Sequence, residues 1–450
     1  MKRASNRYIC QACGQSQVKW SGKCPTCGTW NSLLEEAPSL TSPSNRGRRL
    51  ETTTLAQVNR NPTGPRLSTQ IGEFDRVLGG GIIPGSLILL AGEPGIGKST
   101  LLLEVANGIV ATKPVLYVSG EESLDQLKLR AQRLGVKAAK LELASANNAD
   151  DVATSVGSGQ YGLVIVDSIQ TMVTEQITSA AGTISQITAS TQALLAAAKP
   201  AQTAVILTGH VTKEGNIAGP KILEHIVDVV LYLEGERFSN FKLIRGHKNR
   251  YGSTFEVGIF EMHERGLIEV TNPSAAFLQE RQVSDGSVVL ATLEGTRPLL
   301  VEVQALVSPS PFGYPKRTTA GFDLNRLNLL LAVLGKRGGI ALGTHDVYVN
   351  VVGGMRVAEP AADLAVVLAV ASAARGKPLS PQTAVYGEVG LSGEVRSVAQ
   401  AEKRVQEAQK LGFSQIIAPA VKPLPKGLTI VGTISQAIKL SLVQPAGRQK

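Results

Sequence analysis

Residues 92–100 constrain this chain more than any other stretch. They read GEPGIGKST and match G-x-x-x-x-G-K-[ST] at every fixed position. An apolar run, residues 86–91, precedes the motif and predicts a buried strand, and a helix-favouring run, residues 101–106, follows it. Glycines in such a loop let backbone N–H groups turn towards an anion, and the helix N-terminus adds partial positive charge. The context predicts a phosphate-binding loop.

The residues of this loop are the predicted nucleotide contacts. They are Gly92, Glu93, Pro94, Gly95, Ile96, Gly97, Lys98, Ser99 and Thr100. In such a loop the lysine reaches the β- and γ-phosphates and the following hydroxyl ligates Mg²⁺, roles that fall here on Lys98 and Ser99. A glycine-rich turn before an ordinary helix is the alternative, which the strand–loop–helix context disfavours.

All four cysteines of the chain lie near its start, in two C-x-x-C pairs separated by ten residues. They are Cys10, Cys13, Cys24 and Cys27. Two knuckles of this kind can place four thiolates tetrahedrally about Zn²⁺. Disulfides and a redox C-x-x-C are the alternatives, but a reducing cytosol disfavours the first and the doublet disfavours the second. We expect Trp20 and Trp30, which flank the second pair, to form the small core of this module, with a base-stacking platform as the alternative.

Length and charge set further bounds. A chain of 450 residues predicts two or three domains. No apolar stretch approaches the roughly 20 residues that span a bilayer, and the first residues are polar, so we expect a cytoplasmic protein without a membrane partner. The formal net charge of +10 is compatible with a polyanionic partner or with a merely basic surface.

The pattern along the chain predicts four segments. A Cys₄ zinc finger occupies residues 1–35, and a flexible basic linker rich in Pro, Ser and Arg covers residues 36–66. Residues 67–268 alternate strands and helices, which predicts an α/β domain whose parallel sheet is covered on both faces. Residues 269–450 predict a second globular unit of α+β type.

Three polar residues follow strands of the predicted parallel sheet, at the edge where ligands bind. Asp167 ends an apolar strand and would steer Mg²⁺, although buried strands often end in Asp. Glu121 stands one strand over and would polarise the attacking water, with Glu122 as the alternative. His210 would sense the γ-phosphate, or it is a satisfied histidine at a strand end.

At this point the sequence resembles the bacterial RadA (Sms) family of DNA recombination and repair proteins. The resemblance rests on the zinc knuckles, on residues 92–100, on residues 208–215 (TGHVTKEG) and on residues 248–252 (KNRYG), and it covers nearly the whole chain. The last of these, called the pentapeptide below, is the most specific. The family's usual form has Phe where this chain has Tyr251, a change that keeps the ring.

The resemblance implies a RecA-like ATPase core with ATP, Mg²⁺ and Zn²⁺ as cofactors. It also implies a hexameric ring like that of DnaB-type helicases, in which the nucleotide lies between subunits. A cation from the neighbouring subunit completes each site, and Lys248 and Arg250 match that role. A solvated turn is the alternative for that pair. Residues 211–220 look like the DNA-binding loop of RecA-type cores. The implied DNA contacts are Lys213, Lys248, Asn249, Arg250, Tyr251 and Gly252.

Two stretches of the last segment, residues 353–365 and 387–395, resemble the Lon protease domain. The protease needs a serine activated by a lysine. Ala361 stands where the serine belongs, and Glu402 where the lysine belongs, with Lys403 one step off the required helical face. We therefore expect a protease fold without protease chemistry.

These features together predict a DNA-dependent ATP hydrolase of the helicase type. It would act as a ring-shaped motor on single-stranded and branched DNA, promoting branch migration in homologous recombination and DNA repair. A RecA-type recombinase is the expected protein partner, and the protein would associate with the nucleoid when on DNA. The alternatives are a partner-switching regulatory ATPase of the KaiC kind, without motor activity, and an ATP-dependent protease.

Overall fold

The structure is a computed structural model that describes residues 7–10, 15–17, 19–36, 53–54, 65–136, 140–210, 218–235, 240–311, 313–421 and 427–442. The chain divides into two compact units, Met1–Pro62 and Thr63–Lys450. The predicted linker lies almost wholly outside the described residues.

The first unit contains a small antiparallel sheet in which β1 lies between the other two strands. Its strands are β1 (Arg7–Cys10), β2 (Ser16–Gln17) and β3 (Leu33–Glu36). Cys10, Cys24 and Leu33 form its buried cluster. The prediction that the two tryptophans form this core is wrong, because Trp20 is 57% exposed and Trp30 is 69% exposed. The buried cluster of this unit is built around its cysteines instead.

The second unit begins with what we call the large sheet, formed by nine strands among the described residues in the order β12-β11-β10-β9-β4-β8-β7-β5-β6. Its strands are β4 (Leu87–Gly92), β5 (Val115–Ser119), β6 (Leu141–Ser145), β7 (Leu163–Asp167), β8 (Ala204–His210), β9 (Val229–Glu234), β10 (Phe241–Asn249), β11 (Val257–His263) and β12 (Gly266–Glu269). From β9 to β6 all pairings are parallel, which confirms the predicted parallel core. At the other edge β10, β11 and β12 pair antiparallel, so the complete sheet is mixed.

Helices cover both faces of the large sheet and bury a separate apolar cluster on each. They are α1 (Gly72–Leu78), α2 (Lys98–Ile109), α3 (Leu124–Arg133), α4 (Ala149–Gly157), α5 (Ile184–Ala201) and α6 (Ala218–Ile226). The strand β4 is buried along its whole length because it lies between these layers. Ser123 begins α3 through a capping box, in which its side chain and that of Gln126 each accept from the other's backbone N–H.

The remaining residues form a second mixed sheet, in the order β15-β16-β14-β13-β17-β20-β21. Its strands and the separate hairpin β18-β19 are β13 (Ser287–Glu294), β14 (Arg297–Pro309), β15 (Arg317–Ala320), β16 (His345–Val351), β17 (Thr383–Val385), β18 (Glu388–Val389), β19 (Val395–Arg396), β20 (Gln415–Ala418) and β21 (Leu428–Ile430). The helices are α7 (Pro273–Leu278), α8 (Leu324–Arg337), α9 (Asp363–Arg375), α10 (Ala401–Lys410) and α11 (Ile434–Ser441). This α+β arrangement agrees with the predicted fold class.

The two sheets share apolar packing. Leu243, Val257 and Ile259 of the large sheet belong to the same buried cluster as the second sheet. The turn between β13 and β14 also meets the connection after β10, where Thr296 N donates to the carbonyl of Phe255 at 2.9 Å. Gly295 in this turn has φ +61°, and a Cβ there would lie 1.7 Å from the Phe255 oxygen, so only glycine fits. The boundary at residues 268 and 269 stays a prediction.

Candidate active site

The predicted phosphate-binding loop lies between β4 and α2, at the carboxyl edge of the parallel strands. Gly97 has φ +115° immediately before α2, and a Cβ at this position would lie 2.8 Å from Cε of Met262. The positive φ favours glycine at this position, whereas the flexible end of Met262 could move aside. Lys98, Ser99 and Thr100 form the first turn of α2, where the N–H groups of a helix start have no partner within the helix.

Lys98 is held inside this loop. Its ammonium donates to the carbonyl oxygens of Gly92 at 2.9 Å and Glu93 at 3.0 Å, and its Nζ lies 3.1 Å from Nδ1 of His210. Burial lowers the pKa of Lys98 to about 8, although the charges of Asp167 and Glu121 act to raise it. The backbone carbonyls occupy donors that phosphate oxygens would take when a nucleotide binds.

Asp167, at the end of β7, is fixed by two hydroxyl groups. Its Oδ2 accepts from Tyr117 and its Oδ1 from Thr208, both at 2.6 Å. Burial, followed by the charge of Asp167, raises the pKa of Tyr117 well above its usual value, so the phenol keeps its proton and donates. A carboxylate has about four lone-pair sites, so Asp167 retains acceptor capacity for a metal or its water.

The structure gives Glu121 and Glu122 different partners. Glu121 Oε1 accepts from Ser168 Oγ at 2.6 Å and lies 3.5 Å from Nε2 of His210. Glu122 instead pairs with Arg130 on α3. Glu121 is therefore the carboxylate that adjoins the phosphate loop, in a network that runs through His210 to Lys98.

The cysteine module fits a zinc ion. The Sγ atoms of Cys10, Cys24 and Cys27 all lie within 4.8 Å of one another, and those of Cys10 and Cys27 are 3.6 Å apart. Ligands at about 2.3 Å in a tetrahedron are roughly 3.8 Å apart, whereas a disulfide needs about 2.05 Å. Cys13 lies outside the described residues. Thiolates at this spacing suit Zn²⁺. A bound zinc ion would have a structural role and would hold the two knuckles together.

The pentapeptide, residues 248–252, lies at the opposite edge of the large sheet from the phosphate loop. The strand β10 runs antiparallel to β9, and Asn249 pairs with Val229, which pairs with Ile88 near the start of β4. Gly92 lies four residues further along β4, roughly 13 Å at the rise of a strand. The structure therefore does not bring Lys248 and Arg250 to the phosphate loop of their own chain.

Each predicted DNA contact in the pentapeptide has a partner within the chain. Lys248 Nζ donates to the carbonyl oxygens of Glu224 at 2.6 Å and Val227 at 2.8 Å, at the end of α6. The Nδ2 of Asn249 lies 3.4 Å from the carbonyl oxygen of Val77.

The backbone of the rest of the pentapeptide forms a compact turn. Tyr251 N donates to the side chain of Asn249 at 2.9 Å, and its carbonyl accepts from Arg66 at 2.8 Å. Gly252 packs against Gly79, with 3.5 Å between an added Cβ and the Gly79 Cα. Arg250 and Gly252 are exposed in this turn, so the segment is held by contacts within the chain and also faces solvent.

The predicted DNA-binding loop is only partly described. Lys213 and the rest of residues 211–217 lie outside the described residues. Residues 218–220, which we assigned to the loop, begin α6 instead. The helix leads directly from this loop to the carbonyls that hold Lys248.

Sequence reasoning missed four residues that organise these sites. They are Tyr117, Ser168, Thr208 and Asp228. Thr208 and Tyr117 stand in otherwise apolar strands, and a polar residue in a fully buried strand is the signal that could have identified them.

The fold and the site together define a P-loop ATPase fused to a cysteine zinc module. Family models described as "AAA domain", "Rubredoxin metal binding domain" and "Subunit ChlI of Mg-chelatase" match residues 65–216, 8–35 and 331–422.

Full-length relatives make the family specific. The "DNA repair protein RadA" of Bacillus subtilis (strain 168) is 47% identical over 457 residues, covering 98% of this chain and 100% of that protein. The protein of the same name from Listeria monocytogenes is 47% identical over 98% of this chain and 99% of its own, and that of Rickettsia bellii is 48% identical over 93% and 94%. The chain belongs to the family of the DNA repair protein RadA, which confirms the resemblance seen in the sequence.

One solved structure and the helices of the chain itself remain to be considered. The crystal structure of the RadB recombinase aligns with 45% of this chain and 99% of its own at 24% identity, with a TM-score of 0.37, and does not by itself establish a common fold. Within the described parts of the chain, none of the helices has the length and apolarity to cross a membrane.

Proposed function

We propose that this chain is a DNA-dependent ATPase that works as a ring-shaped motor on single-stranded and branched DNA and promotes branch migration in recombination and repair. The observation that carries the proposal is the network joining Lys98, His210 and Glu121, with 3.1 Å and 3.5 Å between successive polar atoms. The network links Lys98, which would bind phosphate, to Glu121, which would activate the attacking water. The residue between them, His210, immediately precedes the predicted DNA-binding loop. The relatives named as DNA repair proteins support the biological setting.

Each residue of the site has a defined task in this proposal. The backbone of residues 92–100 and Lys98 bind the phosphates of ATP, and Ser99 and Asp167 hold Mg²⁺, which offsets negative charge during phosphoryl transfer. Glu121 orients a water and accepts its proton. We assign to His210 the tautomer that accepts from the Lys98 ammonium at Nδ1 and carries its proton on Nε2, facing Glu121, and a bound γ-phosphate would change both contacts.

We assign Lys248 and Arg250 to the nucleotide site of a neighbouring subunit in a homo-oligomeric ring, with six subunits as the proposed number. The support is geometric, because these residues lie roughly 13 Å along the sheet from the phosphate loop of their own chain and would need a second subunit to meet a nucleotide. A cation supplied in trans can raise the rate by about 10³–10⁵. Asn249, Tyr251, Gly252 and Lys213 remain the proposed DNA contacts.

The proposal excludes proteolysis. Ala361 is buried at the start of the turn before α9 and has no nucleophile. Two residues earlier, Glu359 accepts from the buried guanidinium of Arg404 at 2.8 Å and 2.6 Å and from Thr292 at 2.6 Å. The ion pair between Glu359 and Arg404 therefore lies next to the position that holds the nucleophile in the protease, and its polar groups are used for contacts within the chain. Full-length protein should therefore leave casein intact in the presence of ATP.

The proposal also covers the cellular location and the protein partner. We place the protein in the cytoplasm, at the nucleoid when on DNA, with a RecA-type recombinase as its protein partner. These assignments rest on the family resemblance.

The deciding experiment is ATP turnover with and without single-stranded DNA over a salt series. We expect stimulation that fades steeply as salt rises, because phosphate contacts release counterions. Lys98→Ala should reduce turnover to background, whereas Lys128→Ala, at an exposed lysine on α3, should not change it. Turnover that ignores DNA would favour the partner-switching ATPase, and full turnover in Lys98→Ala would remove the assigned site.

A further inference from the structure

Asp228 is a buried carboxylate between the pentapeptide and the strand that carries the phosphate loop. Asp228 as a whole is 1% exposed to solvent. One oxygen, Oδ1, lies 3.0 Å from the guanidinium of Arg250, and the other, Oδ2, accepts from the N–H of Leu87 at 3.1 Å. Burial, followed by the charge of this carboxylate, raises the pKa of Tyr251, so its phenol keeps its proton. A buried carboxylate is tolerated when its charge and lone pairs are satisfied in this way.

The backbone of Asp228 reinforces the same two links. Its N–H donates to the carbonyl of Leu87 at 2.9 Å, and its carbonyl accepts from the N–H of Arg250 at 3.2 Å. Leu87 is the first residue of β4, whose other end becomes the phosphate loop. Asp228 therefore ties Arg250 to a fully buried strand.

Among the described residues, the guanidinium of Arg250 is held by Asp228 at one of its nitrogens. Its side chain is 49% exposed although one of its terminal nitrogens contacts Asp228. A guanidinium has five N–H donors in a rigid plane, so a carboxylate at one edge fixes the direction in which the others point. Lys248 differs, because its ammonium is directed inwards to the carbonyls of α6. Of the two cations, Arg250 is the one presented outwards with its orientation set.

The geometry points to Asp228 as a positioning residue that holds Arg250 in the orientation with which it contacts the nucleotide of a neighbouring subunit. This inference rests on the function proposed above. Preorganisation of this kind spares the side-chain entropy that a free arginine would lose in each catalytic cycle. Asp228 is buried and would act through Arg250.

The first test is the variant Asp228→Asn in the full-length protein. The amide oxygen can still accept from the N–H of Leu87, but the negative charge that holds the guanidinium is lost. We expect kcat of DNA-stimulated ATP hydrolysis to fall about tenfold to a hundredfold, as expected for a misplaced catalytic group, with KM for ATP within about twofold. The double variant Asp228→Asn/Arg250→Ala should be no slower than Arg250→Ala alone.

The matched control is Asp363→Asn. Asp363 is equally buried and has the same kind of partners, the N–H of Val389 at 3.0 Å and the guanidinium of Arg326 at 2.9 Å, but it lies on α9 beside the second sheet. We expect a loss of thermal stability with kcat unchanged at a temperature where the variant is folded. A matching loss of kcat in the control would show that any broken buried pair has this effect and would overturn the inference.

Mixing experiments separate this inference from the proposed function. Lys98→Ala subunits lack their own site but carry an intact Arg250 for the neighbour. Mixed with them, Arg250→Ala subunits and Asp228→Asn subunits should both regain turnover above the sum of the separate proteins.

Each other result has a distinct meaning. Failure of both mixtures would remove the trans role and the inference that rests on it. Rescue of Arg250→Ala but not of Asp228→Asn would overturn the inference alone, because Asp228 would then act within its own subunit. Should Asp228→Asn not fold, Asp228→Ser is the second variant, since it removes the carboxylate from the guanidinium and leaves the backbone hydrogen bonds of residue 228 with Leu87 and Arg250 in place.

Discussion

Glu73 and Arg297 form a buried ion pair between α1, which covers the large sheet, and β14 of the second sheet. Their side chains are 5% and 9% exposed. Glu73 also accepts from the N–H of Ile259 at 2.9 Å, so the carboxylate links the start of β14 to β11, the second strand from the edge of the large sheet. Because β11 follows the pentapeptide, the second sheet is attached next to the segment that we assign to the neighbour's site.

Arg297→Ala tests the strength of this attachment. It leaves Glu73 buried with its charge less well compensated, and we expect the free energy of unfolding of the second unit to fall by about 3–5 kcal/mol. The control is Arg76→Ala, which removes a 46% exposed partner of the same carboxylate at 3.4 Å and should cost about 1 kcal/mol or less. Denaturant unfolding of both variants measures the difference. Equal losses would show that the buried pair contributes no more than the exposed one.

Glu121→Gln and Glu122→Gln distinguish the two neighbouring acids. Glu121 adjoins His210, so Glu121→Gln should still bind ATP but lose hydrolysis, because an amide cannot accept the proton of the attacking water. Glu122 pairs with Arg130, so Glu122→Gln should lower thermal stability and keep kcat within about threefold. Single-turnover hydrolysis together with nucleotide-binding assays gives both quantities. The reverse pattern would assign the base to Glu122.

The affinity for ATP should depend on the protonation of Lys98. Burial lowers the pKa of this lysine to about 8, so the nucleotide-free protein loses the ammonium as the pH rises through that value. The dissociation constant for a non-hydrolysable ATP analogue should then rise above pH 8, by at most about tenfold per pH unit. Binding should take up a proton there, which calorimetry in buffers of different ionisation enthalpy detects. A flat profile, as expected for Lys98→Ala, would contradict this assignment.

The same pKa has a consequence for stability. Between pH 8 and the ordinary lysine pKa of 10.5, the unfolded chain holds a proton that folded Lys98 has lost. Stability rises with pH wherever the unfolded state binds more protons, so this lysine makes the nucleotide-free protein more stable as the pH rises through this window.

Sequence alone predicts the parts of the candidate site that a local pattern encodes. Residues 92–100 and Asp167 follow directly from a motif and from an apolar strand that ends in an acid. Asp228 could not be found in this way, because its partner Leu87 lies 141 positions away and is brought to it by the order of β9 and β4. Tyr117 and Thr208 meet Asp167 for the same reason, across neighbouring strands.

The fold shows a similar division. Strand and helix alternation predicted the parallel core, whereas the antiparallel pairing of β10 to β12 depends on short turns that do not change the apolar pattern. The tryptophans of the zinc module were misassigned because aromatic residues usually indicate a core. In a module held by metal ligands, the core need not be aromatic, and Trp30 instead lies beside the ammonium of Lys23, with 5.7 Å between Nζ and the ring centroid.

Loss of the zinc site should affect the first unit alone. Cys24→Ser removes a buried ligand, and we expect the protein to lose its single equivalent of zinc because three thiolates hold the ion less tightly. ATP turnover without DNA should persist, since Met1–Pro62 forms a compact unit of its own. Thr26→Ser, between the two cysteines of the second knuckle, is the control and should keep its metal. Elemental analysis alongside turnover measures both, and retained zinc in Cys24→Ser would contradict the assigned ligand set.

Glu104 on α2 should make the stability of the protein depend on pH. Its Oε1 accepts from the N–H of Leu267 at 3.1 Å, and burial raises its pKa from 4.5 to about 7. Between these values the folded chain holds a proton that the unfolded chain has lost, so the contribution of Glu104 to stability falls as the pH rises through this window. Glu104→Gln keeps the acceptor for Leu267 and removes the charge.

We therefore expect Glu104→Gln to melt a few degrees above the parent protein at pH 8 and at the same temperature near pH 4.5. Glu264→Gln, at an exposed carboxylate in the turn between β11 and β12, should show no difference at either pH. Thermal unfolding of the three proteins across this range measures the effect. An increase in melting temperature that is independent of pH, or that grows as the pH falls, would contradict this prediction. It would mean that the ionised carboxylate of Glu104 does not destabilise the protein and that α2 tolerates this charge beside the phosphate loop.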